Sequence, residues 1–244
     1  MFKGIGNVSL TMKICLAGLF AALTTVLQKV LAINYLPAFP FFRISFGGPA
    51  IIAFASIFLG PIWGAAVGGI SDILGYLIFD PKSNMFMPLI TLIYVLLGFA
   101  AFFVYKLIDK IGKDRKILII EIALLLGAFI GLSCYIINLT EYDLIWKIMV
   151  PSVLFVLLVI LLIFQIWVSK KEGNLNTSIK ISFTYFILDL TVLVLFGSLM
   201  KDISFPGVGY KTIFITQCLV MIFNVVFNSI LLSTFFRLTK KYMR

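Results

Sequence analysis

Apolar residues run along this chain in long blocks, separated by short polar and basic turns. The blocks fall at roughly 12–33, 46–59, 62–79, 87–106, 117–138, 146–168, 180–199 and 212–236. A helix needs about 20 apolar residues to cross about 30 Å of hydrocarbon. The pattern therefore predicts an all-α, polytopic transmembrane bundle of about eight spans. Residues 44–79 form one apolar stretch of 36 residues. As a single helix it would be about 54 Å long, so it must divide. Gly60-Pro61 supplies the turn, giving a hairpin of two helices.

The basic residues test that division. With it, one side of the membrane holds both termini and 14 of the 20 Lys and Arg residues, including the cluster Lys106, Lys110, Lys113, Arg115 and Lys116. The other side holds Lys29, Arg43, Lys82, Lys147, Lys201 and Lys211. The bias toward one side predicts that both termini are cytoplasmic. The turns also differ in kind. Inner ones such as KLIDKIGKDRK are plain, whereas 34–45, 80–88 and 201–211 mix prolines, glycines and aromatics. These outer loops suit a lid over an external site, or an interfacial aromatic belt.

Composition narrows the chemistry. Only 30 of 244 residues are charged, which excludes an ordinary soluble domain. The net charge of +10 reflects the turns rather than a nucleic-acid stripe. The apolar run at 12–33 is too long for a signal-peptide core and reads as a retained first helix. No soluble domain or internal repeat stands out, so residues 1–244 read as a single integral membrane domain. Cys15, Cys134 and Cys218 lie in apolar runs without metal spacing, and there is no histidine. No nucleophile–base set, paired acidic motif or Walker loop emerges, so the chain reads as neither an enzyme nor a cofactor carrier.

Against this apolar background a few residues are costly to place. Arg43 stands at the outer mouth of the second helix. It admits two readings, pairing with a ligand carboxylate or snorkelling to lipid phosphate. Asp72 lies inside the third helix, where a carboxylate costs about 2.5–3.5 kcal/mol on insertion scales. It is expected to face a cavity, a ligand or a partner such as Arg43. Asp189 lies mid-span in the seventh helix with less around it. Gln217, Asn224 and Asn228 share a face of the last helix, as ligand contacts or interhelical glue. Small residues form ladders at Ala17/Ala21, with Gly18 and Ala22 alongside, and at Gly64/Gly68. Such ladders allow close packing within the chain or docking of another helix.

The pieces Arg43-Ile-Ser-Phe-Gly, Leu59-Gly60-Pro61-Ile62-Trp63-Gly64-Ala65 and Gly69-Ile70-Ser71-Asp72-Ile73-Leu74-Gly75 resemble the substrate-binding S components of energy-coupling factor (ECF) vitamin transporters, in particular the folate branch. Similarity is close over about 40 residues and looser over the first 110. The resemblance implies a bacterial plasma-membrane subunit that captures a vitamin from outside. Its implied partners are a transmembrane coupling subunit and two cytosolic ATPases. It assigns Ala17 and Ala21 to the docking face for the coupling subunit. Folate would then bring its carboxylates to Arg43, its pterin N–H donors to Asp72, and its rings to Phe41, Phe42, Phe86 or Tyr94, with Asn224 as a further contact. The family usually has six spans, so either 117–168 is an extra hairpin or the extra pair lies at the C-terminus. Other vitamins on the same scaffold (riboflavin, pantothenate, a queuosine precursor) and an ion-coupled carrier using Asp72 and Asp189 are the rival readings.

Overall fold

The computed structural model describes residues 9–30, 32, 46–79, 86–111, 114–138, 144–172 and 175–242, and all regular structure among them is helical. In chain order the helices are α1 (Leu10–Val30), α2 (Gly48–Leu59), α3 (Pro61–Phe79), α4 (Pro88–Ile111), α5 (Asp114–Asn138), α6 (Leu144–Glu172) and α7 (Leu175–Leu188). A π-helical segment, Asp189–Phe196, continues α7 directly into α8 (Gly197–Ser204), and α9 (Tyr210–Tyr242) follows. Each apolar block of the sequence holds a helix. Among the described residues six helical stretches are long and apolar enough to cross a membrane, while Gly48–Leu59 and Lys147–Ile163 are shorter. Large apolar side chains such as Ile62, Leu107, Ile119 and Ile145 point outward, as they do in a protein solvated by lipid.

The expected second span is the main departure. α2 has only 12 residues, about 18 Å of helix, and does not cross on its own. It lies in the middle of the bundle instead. Every residue from Gly48 to Ser56 is buried, which explains a sequence apolar on all faces. Phe54 anchors its far end. Its ring stacks on Phe58 at 5.3 Å and meets Phe20, Phe235 and Phe236 at 5.3–5.5 Å.

Gly47-Gly48-Pro49 starts α2 for three separate reasons. Gly47 has φ +86°, a conformation that costs glycine little. Gly48 lies under Gln28 of α1, where a Cβ would come within 2.1 Å of that side chain. Pro49 occupies the first turn, where no amide hydrogen is needed. The Gly47 amide donates to Asn228 Oδ1 at 2.9 Å, and Asn228 Nδ2 donates to the Asn224 carbonyl at 2.9 Å. Asn228 is therefore glue between α9 and α2.

Gly60, at φ +112°, makes the expected turn. Ser56 and Gly64, four residues on either side of it, are in contact, so α3 folds back on α2. Gly64 then meets Gly98, and Gly68 meets the Tyr94 backbone. These pairings run in opposite order, so α3 and α4 are antiparallel. The Gly64/Gly68 ladder is used inside the chain. Thr25 Oγ1 ties α1 to α3 through the Ser71 carbonyl at 3.1 Å.

α7 is the other buried rod, with Ile179 to Phe186 all buried. Lys180 Nζ pairs with Asp109 Oδ1 of α4 at 3.0 Å, and Ser182 Oγ donates to Glu121 Oε1 of α5 at 2.7 Å. Glu121 is fully buried, a carboxylate in a span that drew no notice in the sequence. Lys180 beside Asp109 and Gly197 beside Ile93 make α7–α8 antiparallel to α4.

Candidate ligand site

Because α4 and α7–α8 run in opposite directions, the start of α4 and the end of α8 lie at one end of the bundle. The starts of α2 and α9 complete that end. A cavity of about 50 Å³ opens between these four elements. Pro49 of α2, Ile90, Ile93 and Tyr94 of α4, and Val220 of α9 give it apolar and aromatic walls. Lys201 of α8, with Gln217 and Asn224 of α9, supplies polar groups. Leu193 and Gly197 close the side formed by the π segment and α8. A flat apolar slot with a few convergent polar groups is the usual form of a small-molecule site. At this volume it holds a few waters, well short of the several hundred Å³ of a vitamin pocket.

Behind the cavity lies Asp189, 0 % exposed. The Asn224 amide adjoins it, and Lys201, Tyr185 and Cys218 lie within range of its charge. Neither of its carboxylate oxygens closes a hydrogen bond. The Tyr185 hydroxyl, also fully buried, has no hydrogen-bond partner and faces Tyr94 as well. A polar pocket floor thus continues from Tyr94 and Asn224 inward to Asp189 and Tyr185. Asp189 is also the first residue of the π segment. Such widened turns occur frequently at functional sites.

The residues singled out from sequence are split by this geometry. Tyr94 and Asn224 line the cavity together. Asp72 does not. It is half-buried between α3 and α4, and its Oδ2 accepts a hydrogen bond from Thr91 Oγ1 at 2.6 Å. The chain of Lys29 crosses Gly75, one turn further along α3. Phe86 is 41 % exposed and meets Tyr76, with ring centroids 5.4 Å apart, rather than a cavity wall. Arg43, Phe41 and Phe42 lie outside the described residues. Ala17 and Ala21 turn into the bundle, at 8 % and 1 % exposure. The small residues that α1 presents outward are Cys15, Gly18 and Ala22. Gly18 has nothing within 4 Å of where a Cβ would stand.

Sequence reasoning missed Lys201, Gln217's place beside it, and the apolar walls. Lys201 reads as one loop cation among several. The signal that could have found it is its place at one helical face with Leu193 and Gly197, in the segment that also holds Asp189.

No curated protein and no solved structure matches the chain. The family model for the ECF transporter substrate-specific component matches residues 12–169. That match runs from α1 into the last turn of α6 and includes Pro49, Ile90, Ile93 and Tyr94 of the cavity. The chain belongs to the ECF transporter substrate-specific component family: it is an integral membrane, substrate-binding subunit of a vitamin-type transporter, and not an enzyme.

Proposed function

We propose that this subunit binds folate or a closely related vitamin from the exterior, with the cavity between α2, α4, α8 and α9 as the inner end of its site. The observation that carries the reading is the meeting of Tyr94, Lys201, Gln217 and Asn224 around one slot, from helices far apart in sequence. Arg43 precedes Pro49, a wall of that slot, by six residues, and we assign it to the ligand's carboxylate. The aromatics of 34–45 and 80–88 then act as the lid, and both termini face the cytoplasm. Asp72 is a supporting residue at the rim, held by Thr91.

The test is native mass spectrometry of detergent-purified protein, followed by fluorescence titration with folate. One bound folate per chain is expected, with Arg43→Ala weakening it about 10- to 100-fold, the range for a lost charge-assisted hydrogen bond. Asp72→Asn is expected to cost less, because its carboxylate already has a partner. Tight binding of riboflavin or pantothenate in place of folate would change the ligand. No vitamin bound to folded protein would defeat the reading.

As a family member the chain works with an ECF module containing ATPases. We place the coupling subunit against the outward stripe Cys15, Gly18 and Ala22 of α1, which adjoins the buried Ala17 and Ala21. Small residues at helix spacing let another backbone approach closely. Gly18→Leu with Ala22→Leu is expected to reduce co-purification with the module about 10-fold and to leave vitamin affinity unchanged. Unchanged assembly would move the docking face elsewhere.

A further inference from the structure

The cavity must grow to admit a ligand. It holds about 50 Å³, whereas a site for a vitamin-sized molecule needs about 300 Å³ or more. One of its described walls therefore has to move, and the four are held very differently. α4 is fixed to α3 through main chain. A Cβ on Gly68 would strike the Tyr94 carbonyl, and one on Gly98 would strike the Gly64 carbonyl, so the two backbones touch beside the cavity. α2 is enclosed from Gly48 to Ser56. The Gly47–Asn228 hydrogen bond ties its start to α9 and so holds both. The remaining wall is the π segment with α8, which contributes Leu193, Gly197 and Lys201. Of the eight residues of α8 only Gly197 and Ser198 are buried, and the Ser198 hydroxyl closes no hydrogen bond. Gly197 meets α4 through the tip of a side chain, Ile93 Cδ1, 3.8 Å from its Cβ position. Such a contact yields to a rotamer change, and touching backbones do not.

Both ends of this wall have slack. At its start the Gly197 amide donates to the Val192 carbonyl, five residues back, and to the Val194 carbonyl, three back. It passes over Leu193, the partner an α-helix would use. A π turn encloses one residue more than an α turn. Rewinding it turns the helix beyond by about 100° and moves it about 1.5 Å along the axis. At the other end Gly207 and Gly209 have φ +119° and +84°, with nothing within 4 Å of their Cβ positions. Glycines in open space change conformation at little cost. α7, which leads into the π segment, is anchored instead, by Lys180–Asp109 and Ser182–Glu121. We propose that α8 is the moving wall of the site, hinged at the π segment and at the Gly207–Gly209 turn. It swings away from Ile93 to admit the ligand and returns against it, while α2, α4 and α9 stay in place. The inference rests on the reading of this cavity as the vitamin site, but the motion itself is measurable without a ligand.

The test is amide hydrogen exchange by mass spectrometry on the full-length protein in detergent, with and without folate. In ligand-free protein, amides of 193–204 are expected to exchange about 10-fold faster or more than those of 90–97 on α4 and 220–226 on α9. Saturating folate should slow 193–204 about 10-fold and leave the other two segments unchanged. A variant lacking Thr191 removes the slack. Thr191 is exposed, and its hydroxyl donates to the Ile187 carbonyl of its own helix. With one residue fewer the segment closes as an α-helix, so the variant should melt at or above wild type. Its 193–204 amides should exchange as slowly as those of α4, and folate should bind about 10-fold more weakly and associate more slowly. If that variant does not fold, exchange in the ligand-free wild type decides. Exchange at 193–204 as slow as at 90–97 in that protein would overturn the inference. So would full folate affinity and association rate in a folded variant lacking Thr191, and both results leave the vitamin-binding reading standing. Fast exchange at 193–204 in folded protein that binds no folate would defeat that reading and leave the moving wall.

Discussion

Gly68→Leu is expected to melt roughly 6–12 °C below wild type in detergent, while Gly127→Ala is expected to melt at or above the wild-type temperature. Both are glycines in GxxxG spacing on apolar helices, so sequence alone treats them alike. The structure separates them. A Cβ on Gly68 would stand 2.2 Å from the Tyr94 carbonyl oxygen and 2.7 Å from its carbon. These are backbone atoms in the middle of α4 and cannot rotate away. Gly98, one turn along, is equally committed, with a Cβ position 2.1 Å from the Gly64 oxygen. Any side chain at Gly68 must push α3 off α4. Overpacking a core costs about 1–3 kcal/mol, and a clash with main chain lies at or beyond the upper end. About 3 kcal/mol corresponds to a fall of roughly 6–12 °C in melting temperature for a chain of this size. Gly127 is exposed on α5 with nothing within 4 Å of a Cβ position. Alanine there gains up to about 1 kcal/mol of helix propensity. Tryptophan fluorescence melts and the monomer peak in size exclusion would report both. If the two variants melted together, the close approach of α3 and α4 would be refuted.

That contrast shows what was legible in the sequence. Apolar blocks and the Gly60-Pro61 break are local signals, so the helices and the turn between α2 and α3 could be read directly. The buried position of α2 could not. A helix apolar on all faces looks the same whether lipid or protein surrounds it, and only the neighbours Gln28, Asn228 and Phe54's aromatic partners decide. The π segment left no mark either, since Asp189–Phe196 contains neither proline nor glycine. The costly polar residues could be found but not assigned. Asp72 and Asp189 look equivalent as single acids in apolar helices. Their roles diverge because Thr91 of α4 happens to lie against Asp72, while no hydrogen bond closes on Asp189. On α9, Asn224 and Asn228 lie one turn apart. One faces the cavity and the other fastens Gly47. Which is which depends on the long-range packing of α2 against α9.

Gly197→Leu is expected to abolish ligand binding, by at least 100-fold, in a protein that still folds. Gly197 follows the π segment and forms part of the cavity wall. Its Cβ position stands 3.4 Å from the Val192 carbonyl oxygen and 3.8 Å from Ile93 Cδ1. A first carbon therefore fits with at most slight adjustment, unlike at Gly68. The rest of a leucine side chain must go somewhere, and the about 50 Å³ cavity beside it is the open space. Filling it puts an apolar branch between Tyr94 and Asn224, the two residues that join the wall to the floor. Gly197→Ala is the control, since it adds only the carbon that fits and is expected to change affinity less than about 3-fold, within the small effect of a tolerated methyl. Helicity and melting temperature should stay near wild type for both, because leucine and alanine are better helix formers than glycine. The readout is folate titration by intrinsic fluorescence beside a thermal melt of the same sample. Full-affinity binding by folded Gly197→Leu would mean that the ligand lies elsewhere, nearer Arg43 and Asp72. Loss of binding with the melt intact places it between α4, α8 and α9.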